Sequence, residues 1–147
     1  YTNYRRETIR VHPTEWRVIA MVFNLYSCEY LSGALVRRAL EERRDYQGEF
    51  LALDVKHAGG GSFCDADCTI HKACTELRHL MEKNKIFWLF YRIGGDEFVV
   101  LTDDAGMDKI KKKLLPTIRK YFHAKVGKKL SNMEWAEAFQ EAMKGIR

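Results

Sequence analysis

Tyr91-Arg92-Ile93-Gly94-Gly95-Asp96-Glu97-Phe98-Val99-Val100-Leu101 is the stretch on which the fold turns. The apolar, aromatic run over 86–93 is broken by Gly94-Gly95, and Phe98-Val99-Val100-Leu101 resumes it. Two such runs around a Gly-Gly turn predict a β-hairpin. The tip carries Asp96 and Glu97, and adjacent acids on a tight turn are costly unless they meet a cation or solvent. Glycines there let the chain turn and let a phosphate approach closely. Upstream, Phe50-Leu51-Ala52-Leu53 reads as a buried strand that ends in Asp54. If the two strands are neighbours, Asp54 and Asp96 converge. Two carboxylates on rigid strands suit Mg²⁺, and Mg²⁺ suits a triphosphate. Two-metal phosphoryl transfer uses such a pair to activate a hydroxyl and stabilise departing pyrophosphate.

Working outward, Trp16, Ile19, Ala20, Phe23 and Tyr26 recur at helical spacing behind Thr14, a candidate cap. Residues 31–44 form a second helical pattern. Glycines 59–61 mark a loop, and 66–81 is a third helix with Ile70, Cys74, Leu77 and Leu80 inward. A helix is expected over 107–121, kinked or split at Pro116. A short strand over 122–126 and a last helix over 135–144 complete the chain. The order predicts an α/β fold with a central, mostly antiparallel sheet flanked by helices, palm-like or ferredoxin-like. Residues 1–28 read as a lead-in segment with a helix, and 29–147 as the domain proper.

Three stretches in order resemble the GGDEF family of diguanylate cyclases. The first is Arg92-Ile93-Gly94-Gly95-Asp96-Glu97-Phe98, the form of the signature that names the family. The second is Glu29-Tyr30-Leu31-Ser32-Gly33-Ala34-Leu35-Val36-Arg37-Arg38-Ala39-Leu40, close to the family's D-x-L-T-G-L-x-N-R-R-x-L. The third is Leu53-Asp54-Val55-Lys56-His57, which stands where the family has L-D-x-D-x-F-K. The resemblance covers residue 29 to the C-terminus and is strongest as far as Leu101. It implies condensation of two GTP into a cyclic dinucleotide by two domains meeting head to head, each 3′-hydroxyl attacking the other nucleotide's α-phosphate. By the same resemblance Asp54 and Asp96 bind Mg²⁺ or Mn²⁺, Glu97 is the second signature acid needed for catalysis, and Gly94 and Gly95 line the triphosphate. A homodimer and an upstream sensor domain are the partners it implies.

The chain departs from that pattern at several positions. Lys56 replaces the family's second aspartate. No asparagine occurs between Asp54 and Arg78, where the family reads guanine. Asp67, with Asp65 as rival, is the best match to the second base-reading residue. A site that loses a base-reading hydrogen bond loses discrimination, so weak base selectivity, ATP use or no turnover are all open. Lys85-Ile86-Phe87-Trp88 stands where the family's inhibitory R-x-x-D belongs, so no product inhibition through that site is expected. Lys144 and Arg147 stand for the family's phosphate-touching lysine and arginine at a shortened C-terminus.

The chain has 147 residues, is 46% hydrophobic and carries a net charge of +5, which fits one domain with a real core and favours anionic ligands. No run is apolar enough to span a bilayer, and no signal peptide is evident. The start on Tyr1 is expected of an excised domain. Cys28, Cys64, Cys68 and Cys74 read as reduced thiols of a cytoplasmic protein. Cys64, Cys68, His71 and Cys74 also invite a zinc reading, although the spacing matches no common structural site. Lysines and arginines over 109–129 leave nucleic-acid binding by a basic palm-like module open, against an ordinary solvated helix face. His12, His57, His79 and His123 have no carboxylate or nucleophile partner in sequence. The two main functional expectations are therefore a cyclase and a catalytically silent nucleotide- or protein-binding domain.

Overall fold

The computed structural model of the chain describes residues 40, 41, 43–57 and 63–146. The expected lead-in helix, most of the second helix, the glycine loop and Arg147 lie outside these residues, as do the side chains of 63–67.

Four strands form one sheet: β1 (Gly48–Val55), β2 (Trp88–Arg92), β3 (Glu97–Thr102) and β4 (Phe122–Lys129). Their spatial order is β2-β3-β1-β4, and every neighbouring pair is antiparallel. Helix α1 (Phe63–Lys83) connects β1 to β2. A helical stretch connects β3 to β4: α2 (Asp104–Lys109), a π-helical turn (Ile110–Leu114) and α3 (Leu115–Ile118). Helix α4 (Trp135–Met143) follows the sheet. This is the βαββαβ order of two interleaved split βαβ units, the ferredoxin-like arrangement. The expected α/β fold with an antiparallel sheet flanked by helices is thus the one observed. No described helix is long and apolar enough to cross a membrane.

The strands are apolar on both faces because both faces are covered. Leu51, Leu53, Trp88, Phe90, Phe98, Val100, Phe122 and Ala124 join Ile70, Cys74, Leu77 and Met81 of α1 and Ile110 and Leu114 of the π turn in one core. Their alternates Phe50, Ala52, Leu89, Tyr91, Val99 and Leu101 pack with Trp135, Phe139 and Met143 of α4 in the other. Period-two alternation therefore sorts each strand between two cores. On α4's side the approach is close: a Cβ at Gly127 would lie 2.6 Å from the Ala142 Cβ and 2.8 Å from the Phe50 ring.

Several boundaries differ from the sequence expectation. Helix α1 runs on to Lys83 and is closed by Lys85 at φ 56°, in the left-handed region. The Ile86 N–H reaches the Met81 carbonyl at 3.0 Å and the Lys85 N–H that of Glu82 at 3.1 Å, a Schellman closure with lysine in glycine's usual place. Ile86 belongs to this cap, so β2 starts only at Trp88. The helix after β3 starts at Asp104, not Met107, because the Asp103 carboxylate accepts from the Gly106 N–H at 2.7 Å. The helical stretch is divided just before Pro116, as a π turn and a last short α-helix, and runs on to Ile118. Pro116 lacks an N–H, and its ring would crowd the carbonyl four residues back. The π turn just before it, with the Leu115 N–H bonded to the Ile110 carbonyl, opens the helix enough to admit the ring. Strand β4 is longer than expected because it pairs with β1 along its whole length.

Candidate functional site

The hairpin tip is wider than a Gly-Gly turn: residues 93–96 connect β2 to β3. The Ile93 and Gly94 N–H groups both donate to the Glu97 carbonyl, at 2.9 and 3.4 Å. The Asp96 carbonyl accepts from the Val55 N–H of β1 at 2.9 Å. That bond ties the tip to the end of the neighbouring strand, and it sets Asp96 beside Asp54. The Arg92 guanidinium closes the turn from behind. Its Nε donates to the Gly95 carbonyl at 2.9 Å and the Gly94 carbonyl at 3.2 Å, its Nη2 also donates to Gly95, and its plane sits 5.8 Å from the Phe98 ring centre. Neither glycine adopts left-handed backbone. Gly94 lies against the Glu97 side chain: a Cβ there would meet its carboxylate, which would have to swing aside. A Cβ at Gly95 would meet nothing within 4 Å, so that backbone is open to an approaching group.

Asp54 and Glu97 are register partners across β1 and β3. The Val55–Asp96 bond marks the adjacent pair as the narrow one. Asp54 and Glu97 therefore form a non-hydrogen-bonded pair, whose side chains lie closest. Asp54 is 7% exposed, and Asp96 and Glu97 are half-buried. The Asp96 carboxyl is pushed above the usual carboxylate range by burial first, then by the Asp54 charge and a side-chain hydrogen bond with Asp54, with Glu97 adding to it. A bond from the backbone of Asp96 itself opposes the rise. The convergence expected of Asp54 and Asp96 once their strands are neighbours is present: two carboxyl groups in contact, with a repulsion that a proton or a cation relieves. Among the described residues no group of three or more His, Cys, Asp or Glu is arranged to hold a metal. Two hard oxygen donors fit Mg²⁺ or Mn²⁺ only with water or phosphate completing the shell, which is how Mg²⁺ is ordinarily held.

The other residues singled out in the sequence lie elsewhere or in part out of view. Lys56 donates from its ammonium to the Arg119 carbonyl at 2.5 Å, and its N–H bonds the Tyr121 carbonyl at 2.9 Å. It secures the turn after α3. Asp67 lies in the first turns of α1. Lys144 is exposed at the carboxyl end of α4. Cys68 and His71 are exposed on α1, whereas Cys74 is fully buried in the core, so these three do not face a common ion. Much of the basic stretch is engaged within the protein. Lys109 bonds the Asn84 carbonyl, Lys111 pairs with Glu49, Lys112 pairs with Asp108, and Arg119 bonds the Ala124 carbonyl. Lys129 is fully buried, its ammonium on the carbonyls of Arg44, Tyr46 and Leu130 and 5.2 Å from the Trp135 ring centre.

Sequence reading alone did not give the clamp by Arg92, although the residue stands in the signature, nor the Val55–Asp96 tie, which exists only once β1 and β3 pair. It also left His123 without a partner, whereas β4 places it in register with Asp54. No family model, no curated protein and no solved structure matches the chain. The likeness to GGDEF domains accordingly rests on the three sequence motifs.

Proposed function

We propose that this chain is a GGDEF-like nucleotidyltransferase domain that binds GTP, or another nucleoside triphosphate, with Mg²⁺ or Mn²⁺. Two copies facing each other condense two nucleotides into a cyclic dinucleotide. The observation that carries this reading is the contact between the Asp54 and Asp96 carboxyl groups at the ends of neighbouring strands, taken with the motifs that contain them. A divalent cation bound there supplies charge neutralisation of phosphate oxygens and a lower pKa for an attacking hydroxyl. The chain's own residues then have separable tasks. Asp54 and Asp96 orient the cation-bound triphosphate. Arg92 holds the turn carbonyls so that Asp96 stays in place. The open backbone at Gly95 leaves room for a phosphate. Glu97, opposite Asp54, is the remaining acid able to take the proton released as each 3′-hydroxyl forms its bond to the α-phosphate and pyrophosphate leaves. The loop over 58–67 lacks the family's asparagine, so ATP is expected to compete with GTP. A cytoplasmic location and an upstream sensor belong to the same proposal.

A second reading has one observation in its favour. The position of the family's second aspartate is Lys56, whose ammonium is engaged at the Arg119 carbonyl. With one acid fewer, the domain could bind nucleotide or a partner protein without turnover. The test is incubation of concentrated protein with Mg²⁺ or Mn²⁺ and GTP, ATP or both, with products read by mass spectrometry beside Asp54→Ala plus Asp96→Ala. A cyclic dinucleotide made only by the unaltered protein is the expected result. Absence of product from folded, dimeric protein that still binds Mg²⁺-GTP would replace the cyclase by the silent domain.

A further inference from the structure

Strand β4 brings two more polar side chains to the acid pair. Phe122 and Ala124 point into the core under α1, while a Cβ at Gly127 would meet Ala142 of α4. The odd-numbered residues of β4 therefore lie on α4's side of the sheet. Phe50 and Ala52 of β1 and Val99 and Leu101 of β3 pack on that same side, so by alternation Asp54 and Glu97 share it. The register places His123 directly across from Asp54, and Lys125 across from Ala52. One row of the sheet thus reads Glu97, Asp54, His123, with Lys125 one step along. The bond from the Lys56 N–H to the Tyr121 carbonyl marks a narrow pair two residues away. Asp54 and His123 are therefore also a narrow pair, with Cα atoms roughly 5.5 Å apart. Lys125 is the diagonal neighbour of Asp54, at roughly 7–8 Å, within the span of a lysine's four-carbon stem.

His123 is half-buried and Lys125 exposed. Neither side chain has a hydrogen-bond or ion-pair partner among the described residues, unlike Lys109, Lys111, Lys112 and Lys129. We propose that His123 and Lys125 receive the phosphate chain of the nucleotide held at Asp54 and Asp96, an inference that rests on the reading of that site given above. A cation between the two carboxylates neutralises only part of a triphosphate. The remaining charge lies on oxygens that need donors, and an ammonium and an imidazole N–H on the neighbouring strand supply them. The contact grows with the number of phosphates, so these two residues set the preference for triphosphate over monophosphate.

The test is fluorescence polarisation of a fluorescent GTP analogue with Mg²⁺, displaced by GTP, GDP or GMP. The proteins are the unaltered chain, Lys125→Ala, Lys125→Glu, His123→Gln, and Lys113→Glu as a control for net charge at an exposed site. Circular dichroism establishes that each is folded. Lys125→Ala is expected to weaken GTP by about tenfold, the loss of one charge-assisted bond, and Lys125→Glu by more. GMP affinity should change little, so the GTP-to-GMP ratio collapses, while Lys113→Glu leaves it unchanged. Nucleotide binding that persists with the same ratio in Lys125→Glu and His123→Gln overturns this inference alone. Failure of the unaltered chain to bind Mg²⁺-GTP overturns it together with the reading on which it rests.

Discussion

Asp96 illustrates how a residue's neighbours give it two opposed effects. Its carbonyl ties the hairpin to β1 at 2.9 Å and stabilises the sheet, while its carboxyl is forced against that of Asp54. Because its folded pKa is raised, the folded state carries the repulsion above that pKa. The repulsion fades as pH falls through the folded value toward the ordinary one near 3.8. Asp96→Asn is therefore expected to raise stability at pH 7 and to lose that advantage as pH approaches 4. Urea denaturation at several pH values checks this. A destabilised Asp96→Asn at pH 7 would mean that the carboxylate is already compensated. The identity of the acids was legible in the sequence because two apolar runs deliver them. Their contact was legible only on the condition that the two strands are neighbours, which one backbone bond between residues 41 positions apart, Val55 and Asp96, meets.

At the scale of elements, the strands were legible as short unbroken apolar runs and α1 because its apolar residues repeat at three to four. The ends were not. Lys85 closes α1 in left-handed backbone, where glycine is the residue that sequence reading looks for. Lys85→Gly should stabilise the protein by about 0.5–1 kcal/mol by removing the Cβ crowding of that conformation. The readout is the midpoint of thermal or urea unfolding, and a loss of stability would contradict the cap geometry. The start of α2 was hidden for a related reason. Asp104-Ala105-Gly106 carries no apolar stripe, and the helix begins there because Asp103 caps it.

Across the whole molecule, the fold class followed from the order of strands and helices, but the order of strands in the sheet and the use made of the basic residues did not. Lys129 reads as part of a charged surface and is instead the joint between the end of β4, residues 44–46 and Trp135 of α4. Burial lowers its pKa, and nearby Asp45 and Glu134 oppose that shift. Lys129→Met keeps the stem and removes the donors from three carbonyls, so it should cost about 2 kcal/mol, read from the urea midpoint. An unchanged midpoint would place those carbonyls in water. The candidate site depends on the same architecture, because only the pairing of β1 with both β3 and β4 sets Asp54 between Glu97 and His123.

In the function proposed above, Asp54 and Asp96 together hold a divalent cation on a nucleoside triphosphate. Titration of Mn²⁺ into the protein with GTP, followed by the loss of the free-ion electron paramagnetic resonance signal, tests it most directly. Saturable binding that requires GTP, and that disappears in Asp54→Asn and in Asp96→Asn while both stay folded, is the predicted result. Equal Mn²⁺ uptake by the unaltered chain and both variants would contradict it.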